Sequence, residues 1–486
     1  MNAASYKVVA VTSILCLVAS QTYAVRAAND DGVVPNPTLG AVAAKAFSRG
    51  FTPGLAIAVV HDGKLIYAEG FGYADVAGKE RVTPRTPFAI GSLTKQMTAM
   101  IALHLVQEHR LALDERVARW LPMLPNAQTM TVRELLNQTS GLHNYPYLAE
   151  HRWPTRGSIP IARLLAILAK DRADFVPGAR WEYSNTNYTA LAAIERAVTG
   201  VPYRRLLQRR IFMPLQMRES GYGFAAQSLP GLAAPFVSTA NGFQPVPAAQ
   251  RLSLDLYSGA GGVVASAGDL ARWDIALLGG HLLDPAMNRL WWSPGRLADG
   301  SATNYGMGWV IADLDGRREL WHNGFAPGAG GFCFNALFPK EGLGIVLLSN
   351  AGSYAANGDR PLRELVAGLA RAALPAAFVE RSAAGEEPAV TRRVEALWAA
   401  YGAGKPPLAE MEPGFAAIFT PAFTASLAKG IGDLGSPKRW VFLGRSALGG
   451  GVTLYRYRVE LANGTSPTFA VAIDSLGEIA GSRLLP

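Results

Sequence analysis

Cysteine is almost missing from this chain, with two in 486 residues, Cys16 and Cys333. That excludes the disulfide framework on which small secreted domains depend. Charge is sparse as well, at 17% of residues, while 49% are hydrophobic, which excludes a disordered or low-complexity protein. Beyond the first thirty residues no apolar run approaches the ~20 residues that cross a bilayer, so no integral membrane span is expected. Acidic residues number 37 against 46 Lys and Arg, a formal net charge of +9. Nucleic-acid recognition needs such an excess clustered. Here residues 376–486 hold eleven basic and ten acidic side chains, and the excess is scattered over the larger part as singles and pairs. No nucleic-acid partner is expected.

What is present begins with Lys7, an apolar stretch over 8–19 and small residues leading to Ala24 and Ala27, the pattern of a secretory signal peptide over 1–27. Export, to a periplasm or the medium, is the expectation. Cleavage would remove Cys16 and leave Cys333 in the apolar stretch Gly331-Phe332-Cys333-Phe334, where a buried, inert thiol is expected.

At roughly 100–200 residues per domain, the length suggests two or three units. Residues 55–72 alternate around Asp62-Gly63 and predict a hairpin. Helical patterns broken by Pro and Gly dominate 92–280. Strands return over 306–349, ending in the largely apolar run 343–348, and a helix follows over 363–373. Strands at both ends with helices between them imply an antiparallel sheet completed by both ends of a unit spanning 35–378. The small, polar stretch 379–388 reads as a linker. Helices over 390–400 and 422–429, then strands over 440–444, 452–461 and 468–473, predict a small α+β domain at 389–486. Its last two strands would turn at Asn463-Gly464.

Three short constellations could carry chemistry. Ser92 and Lys95 share one face at the start of a helix. A serine hydroxyl needs an adjacent base to become a nucleophile, and a lysine of depressed pKa can be that base. The helix N-terminus also offers N–H groups to a developing anion. Spacing alone does not decide, because Ser426 and Lys429 repeat it. Tyr183-x-Asn185 is the sole Y-x-N among 16 tyrosines. It pairs a second acid/base with an amide able to orient the lysine and bind substrate. In His322-Asn323-Gly324-Phe325, Gly324 is expected to let substrate approach the backbone, and the Phe325 N–H to complete an oxyanion hole. Taken singly, these also fit an N-cap serine, a packed tyrosine and a strand-edge histidine. His61-Asp62-Gly63 repeats H-x-G but is explained by its turn. His104, Glu108 and His109 lack the spacing of a helical zinc site, and no metal is expected.

In this order the three motifs resemble those of the serine β-lactamase and penicillin-binding protein superfamily, nearest its class C branch of β-lactamases, D-Ala-D-Ala carboxypeptidases, D-aminopeptidases and esterases. The resemblance extends over about residues 53–352 and includes Thr139-Ser140-Gly141-Leu142, Gly259-Ala260-Gly261-Gly262 and Tyr305-Gly306-x-Gly308-Trp309. It implies an α+β, β-lactamase/transpeptidase-like fold, an antiparallel sheet flanked by helices plus a helical subdomain. It implies no cofactor, and a small-molecule or short-peptide substrate. By resemblance Ser92 forms an acyl-enzyme, and Lys95 and Tyr183 share proton transfer, with the acylation base open between them. Asn185 positions Lys95 and substrate, the Ser92 and Phe325 N–H groups hold the oxyanion, and His322 lines the far wall. Ser426 lacks the accompanying motifs and stays a surface residue.

Two departures matter. His322-Asn323-Gly324 stands where typical class C enzymes have Lys-Thr-Gly, which removes the permanent cation and the hydroxyl that suit a β-lactam carboxylate. This favours a peptidase, amidase or esterase over a true β-lactamase, while the complete set of Ser92, Lys95, Tyr183 and Asn185 argues against a non-catalytic sensor on the same fold. Gln138 also replaces the histidine of the family's common His-Thr-Ser-Gly-Leu. The oligomeric state is not encoded in any motif.

Overall fold

A computed structural model describes residues 32–145, 156–239, 242–352, 360–378, 385–449, 452–463 and 466–485. The expected signal peptide, most of the expected linker and Gly464 of the expected C-terminal turn lie outside the described residues.

Strands β1 (Gly54–His61) and β2 (Lys64–Asp75) form the expected hairpin. Asp62 and Gly63 take φ of 49° and 74°, as a two-residue type I′ turn requires. Next come β3 (Glu80–Arg81), β4 (Phe88–Ala89), β5 (Gly221–Tyr222), β6 (Phe236–Thr239), β7 (Gly242–Pro245) and β8 (Val263–Ala265). Four of these, β5 to β8, interrupt the segment read as helical. Runs of two to four residues carry too little period to be read from sequence.

The main sheet is completed by β9 (Val310–Leu314), β10 (Arg317–Phe325), β11 (Phe332–Phe338) and β12 (Leu343–Ser349). Its order is β3-β2-β1-β12-β11-β10-β9, and the N-terminal hairpin joins the later strands where β1 pairs antiparallel with β12. Side chains alternate across the sheet, and both faces are covered. Leu55, Ile57, Val59, Ile345 and Leu347 pack with helices Pro37–Phe47 and Arg360–Ala373. Ala56, Ala58, Val60, Val346 and Leu348 pack with helices Thr94–Gln107 and Ala267–Leu278. Burial on two faces explains why β12 is an almost unbroken apolar run rather than an alternating one. Cys333 lies within β11, fully buried, its thiol pushed up to about 12 by desolvation.

The C-terminal sheet is β13 (Pro437–Gly449), β14 (Val452–Leu461), β15 (Thr468–Ile473) and β16 (Ile479–Leu485) in simple order. Helices Pro388–Gly402 and Pro421–Leu434 pack on it around Trp398, Tyr401 and Phe469. The first helix begins at Pro388, one residue inside the expected linker. The sequence reading missed β16, whose Ala480-Gly481-Ser482 centre has weak strand propensity and whose pairing with β15 makes it a strand. Asp315, in the β9–β10 turn, accepts from Arg371 at 2.7 and 3.0 Å and lies 3.5 Å from Arg458 of β14. One nearly inaccessible carboxylate thus holds the small domain against the larger part.

Candidate active site

Gly91, at φ +53°, opens a single 3-10 turn, Gly91–Leu93, that holds Ser92 at its centre and runs into helix Thr94–Gln107. Lys95 follows one turn later and is fully buried. Its Nζ lies 3.0 Å from Ser92 Oγ, 2.7 Å from Asn185 Oδ1 and 2.8 Å from the Ala260 carbonyl oxygen. Burial drives its pKa well below that of a solution lysine. A neutral amine has two N–H groups and one lone pair. Asn185 Oδ1 and the Ala260 carbonyl can only accept, so they take both N–H groups and the lone pair faces Ser92. Tyr183 donates its hydroxyl to Ser92 Oγ at 2.7 Å. The arrangement can take a proton from Ser92 on one side and supply one on the other.

Tyr183 and Asn185 are held by residues to which the sequence assigned no role. Asn185 begins helix Asn185–Thr199, whose N-cap Ser184 makes no side-chain cap. The unpaired N–H groups of such a helix start need acceptors from elsewhere. Gln138 Oε1 accepts from Ser184 N at 3.0 Å and Asn187 Nδ2 at 2.6 Å, while Asn144 Oδ1 accepts from Asn185 N at 2.9 Å and Asn185 Nδ2 at 3.1 Å. Gln138 is fully buried at φ +64°. The Gln138 departure was visible in sequence, but its purpose was not.

On β10, His322 is buried, with its pKa lowered to about 3, chiefly by desolvation. Its Nδ1 lies 2.5 Å from the Asn323 carbonyl oxygen, so that nitrogen carries the proton and Nε2 accepts from Tyr305 OH at 3.1 Å. The histidine is therefore a neutral wall, not a cation. Tyr305 meets Tyr183 edge-on and touches Trp181, which is partly exposed at the mouth. Gly324 corrects an expectation. A Cβ there would stand 1.9 Å from the Ile90 carbonyl oxygen, so the space is filled by backbone rather than left for substrate. A Cβ on Gly91 would stand 2.4 Å from Phe325 N. The two glycines let β10 and the nucleophile turn touch, which places Phe325 N beside Gly91, the residue before Ser92, on the side an oxyanion hole would use.

The structure brings Ser92, Lys95, Tyr183, Asn185, His322, Gly324 and Phe325 together, and adds Gln138, Asn144, Ala260 and Tyr305. It sets the decoys apart. Lys429 is a surface residue paired with Asp433 at 2.6 Å. His104 bonds the Leu282 carbonyl, and Glu108 pairs with Arg210. Among the described residues no group of three or more His, Cys, Asp or Glu could hold a metal ion.

A half-buried serine beside a buried lysine and a hydrogen-bonded tyrosine, framed by an antiparallel sheet and a helical lobe, is the arrangement of a serine hydrolase. Residues 42–368 match the Beta-lactamase family, and the chain belongs to it. It is 31% identical over 293 residues to PbpX of Bacillus subtilis, named as a penicillin-binding protein, covering 60% of this chain and 68% of that one. It is 29% identical over 284 residues to a D-aminopeptidase of Brucella canis, covering 56% of this chain and 52% of the relative. The chain thus spans only about half of that enzyme. The D-amino acid amidase of Ochrobactrum anthropi shares the fold, at a TM-score of 0.61 and 24% identity over 70% of this chain and 98% of the amidase.

Proposed function

We propose that this chain is an exported hydrolase that cleaves an amide or ester bond through an acyl-enzyme on Ser92, with D-amino-acid amides or short D-amino-acid peptides as its substrate class. The observation that carries the reading is the environment of Lys95, which leaves one lone pair directed at Ser92 Oγ. Neutral His322, where a carboxylate-binding lysine would stand, favours a peptidase, amidase or esterase over a β-lactamase. The D-aminopeptidase relative supports the D-amino-acid class. The N-terminal sequence pattern supports export.

In the first step Ser92 Oγ bonds to the acyl carbon and its proton passes to Lys95 Nζ. The carbonyl electron pair moves onto oxygen, which the Ser92 and Phe325 N–H groups stabilise. Collapse breaks the bond to the amine or alcohol. That group leaves with a proton delivered through Lys95 and Tyr183, so the serine proton ends on the leaving group. Water then adds to the acyl carbon, giving a proton to the same base, and that proton passes to Ser92 Oγ as its bond to the acyl carbon breaks and the acid departs.

The test is turnover of D-Ala peptides, a short-chain nitrophenyl ester and a chromogenic cephalosporin by wild type and Ser92→Ala. Wild type should turn over at least one of the first two faster than the cephalosporin, and the variant none. Turnover surviving in Ser92→Ala would overturn the mechanism. A wild type that neither turns over nor becomes acylated would overturn the enzyme reading.

A further inference from the structure

A groove of about 630 Å³, lined by none of the catalytic residues, lies between helix Tyr203–Leu207, the turn Gln208–Phe212 and strand β5. Its size lies in the range of small-molecule sites, roughly 300–1,000 Å³. Phe212, Met213 and Leu229 give it apolar surface, with Met213 65% exposed. Arg204, Arg205 and Arg218 also line it. In sequence these arginines look like scattered singles and pairs, but the fold gathers them on one rim.

Most charges near the groove are already engaged, and Asp255, beside the lining Tyr222, accepts from the Ile159 and Phe224 N–H groups. Glu219 is taken by Arg85 at 2.8 Å, and Glu108 by Arg210 at 2.6 Å. Asp269 accepts from Ser220 and from the Glu219 N–H, and burial raises its pKa to about 7. Arg205 donates to Gln208 Oε1 at 2.9 Å. The exposed side chains of Arg204 and Arg218 have no ion pair or hydrogen bond among the described residues. Two uncompensated guanidinium groups beside an apolar floor suit a ligand with an anionic head and an apolar tail. A guanidinium binds a carboxylate through two parallel N–H···O bonds, and the floor takes a hydrocarbon tail.

We propose that this groove is a second binding site, separate from the catalytic one, for a medium-chain alkyl carboxylate. The anionic head sits between Arg204 and Arg218, and the tail lies along Phe212, Met213 and Leu229. The site does not depend on the hydrolytic reading, because none of the catalytic residues lines it.

The test is calorimetric titration of the full chain with decanoate, decylammonium and acetate. A hydrolase could also hold decanoate in its acyl site, so the titration is repeated after Ser92 has been blocked with a covalent phosphonate. Decanoate should bind at one site in the blocked form, with the affinity of a site also present in the unblocked form. Decylammonium and acetate should bind at least tenfold more weakly, since one repels the arginines and the other lacks a tail. Arg204→Glu and Arg218→Glu should each weaken decanoate by roughly tenfold or more, and Arg218→Lys by less. Circular dichroism verifies that the variants are folded, as expected for exposed side chains. Decylammonium binding as tightly as decanoate, affinity unchanged in both glutamate variants, or binding lost on blocking Ser92 would each overturn the proposal. Binding of an acidic peptide with no binding of decanoate would overturn it as well.

Discussion

The sharpest test of the Lys95 geometry is Asn185→Asp. At pH 7 a lysine with the ordinary pKa of ~10.4 is neutral in only about one molecule in 2,500. A lysine base works at that pH because burial has already depressed its pKa. The substitution leaves shape nearly unchanged but turns Oδ1, 2.7 Å from Nζ, into part of a carboxylate. An opposite charge at such range favours the charged amine and moves its pKa up by about 1–3 units. The neutral form then appears only at higher pH. Below the new pKa, kcat/KM falls by about ten- to a thousandfold, and recovers roughly tenfold for each pH unit gained. The measurement is kcat/KM against pH, from about 5 to 10, with one good ester or amide substrate. Asn185→Ala serves as control, because it removes the acceptor without adding charge and should lower activity with a much smaller shift of the acid limb. A fractional loss in Asn185→Asp that is the same at every pH would refute the reasoning, since Asn185 would then act through shape alone.

Gln138→Ala removes the acceptor of Ser184 N and Asn187 Nδ2, two buried donors, and should cost about 1–3 kcal/mol for each in denaturant unfolding, with kcat falling as Tyr183 loses its support. Asp274 is fully buried, accepts from Asn335 at 2.7 Å, and has its pKa raised well above normal by desolvation. As its folded pKa exceeds the unfolded one, stability is full below pH ~4 and is lost as pH rises through the folded pKa. Asp274→Asn should therefore be more stable than wild type at pH 7 in thermal unfolding, with the gain shrinking toward pH ~4. Asp315→Ala leaves Arg371 and Arg458 facing each other without their shared carboxylate, and limited proteolysis should then cut faster between the catalytic part and the small domain. Gly324→Ala sets a methyl against the Ile90 carbonyl and should reduce kcat far more than it raises KM, because the oxyanion hole acts on the transition state.

What could be read in advance was whatever the chain encodes locally. Asp62-Gly63 between alternating strands, Lys95 one turn after Ser92, and the apolar run of β12 each carry their own period or turn chemistry. What could not be read was whatever depends on a distant backbone. Ala260 completes the lysine site through a carbonyl that every residue type possesses, so no spelling marks it. Gln138 and Asn144 act 46 and 41 residues before the helix start they satisfy. Gly324 was rightly singled out and wrongly explained, because a sequence shows that space is needed without showing what fills it. These misses share a consequence. The base, its orienting amide and the second acid/base are all fastened to residues of the helical lobe, whereas the oxyanion N–H of Phe325 comes from the sheet. The catalytic geometry is therefore set where the two meet, along the contact of Gly91 and Gly324. A substitution that loosens that contact should impair acyl transfer even with every reacting side chain intact, and the Gly324→Ala variant examines that contact directly.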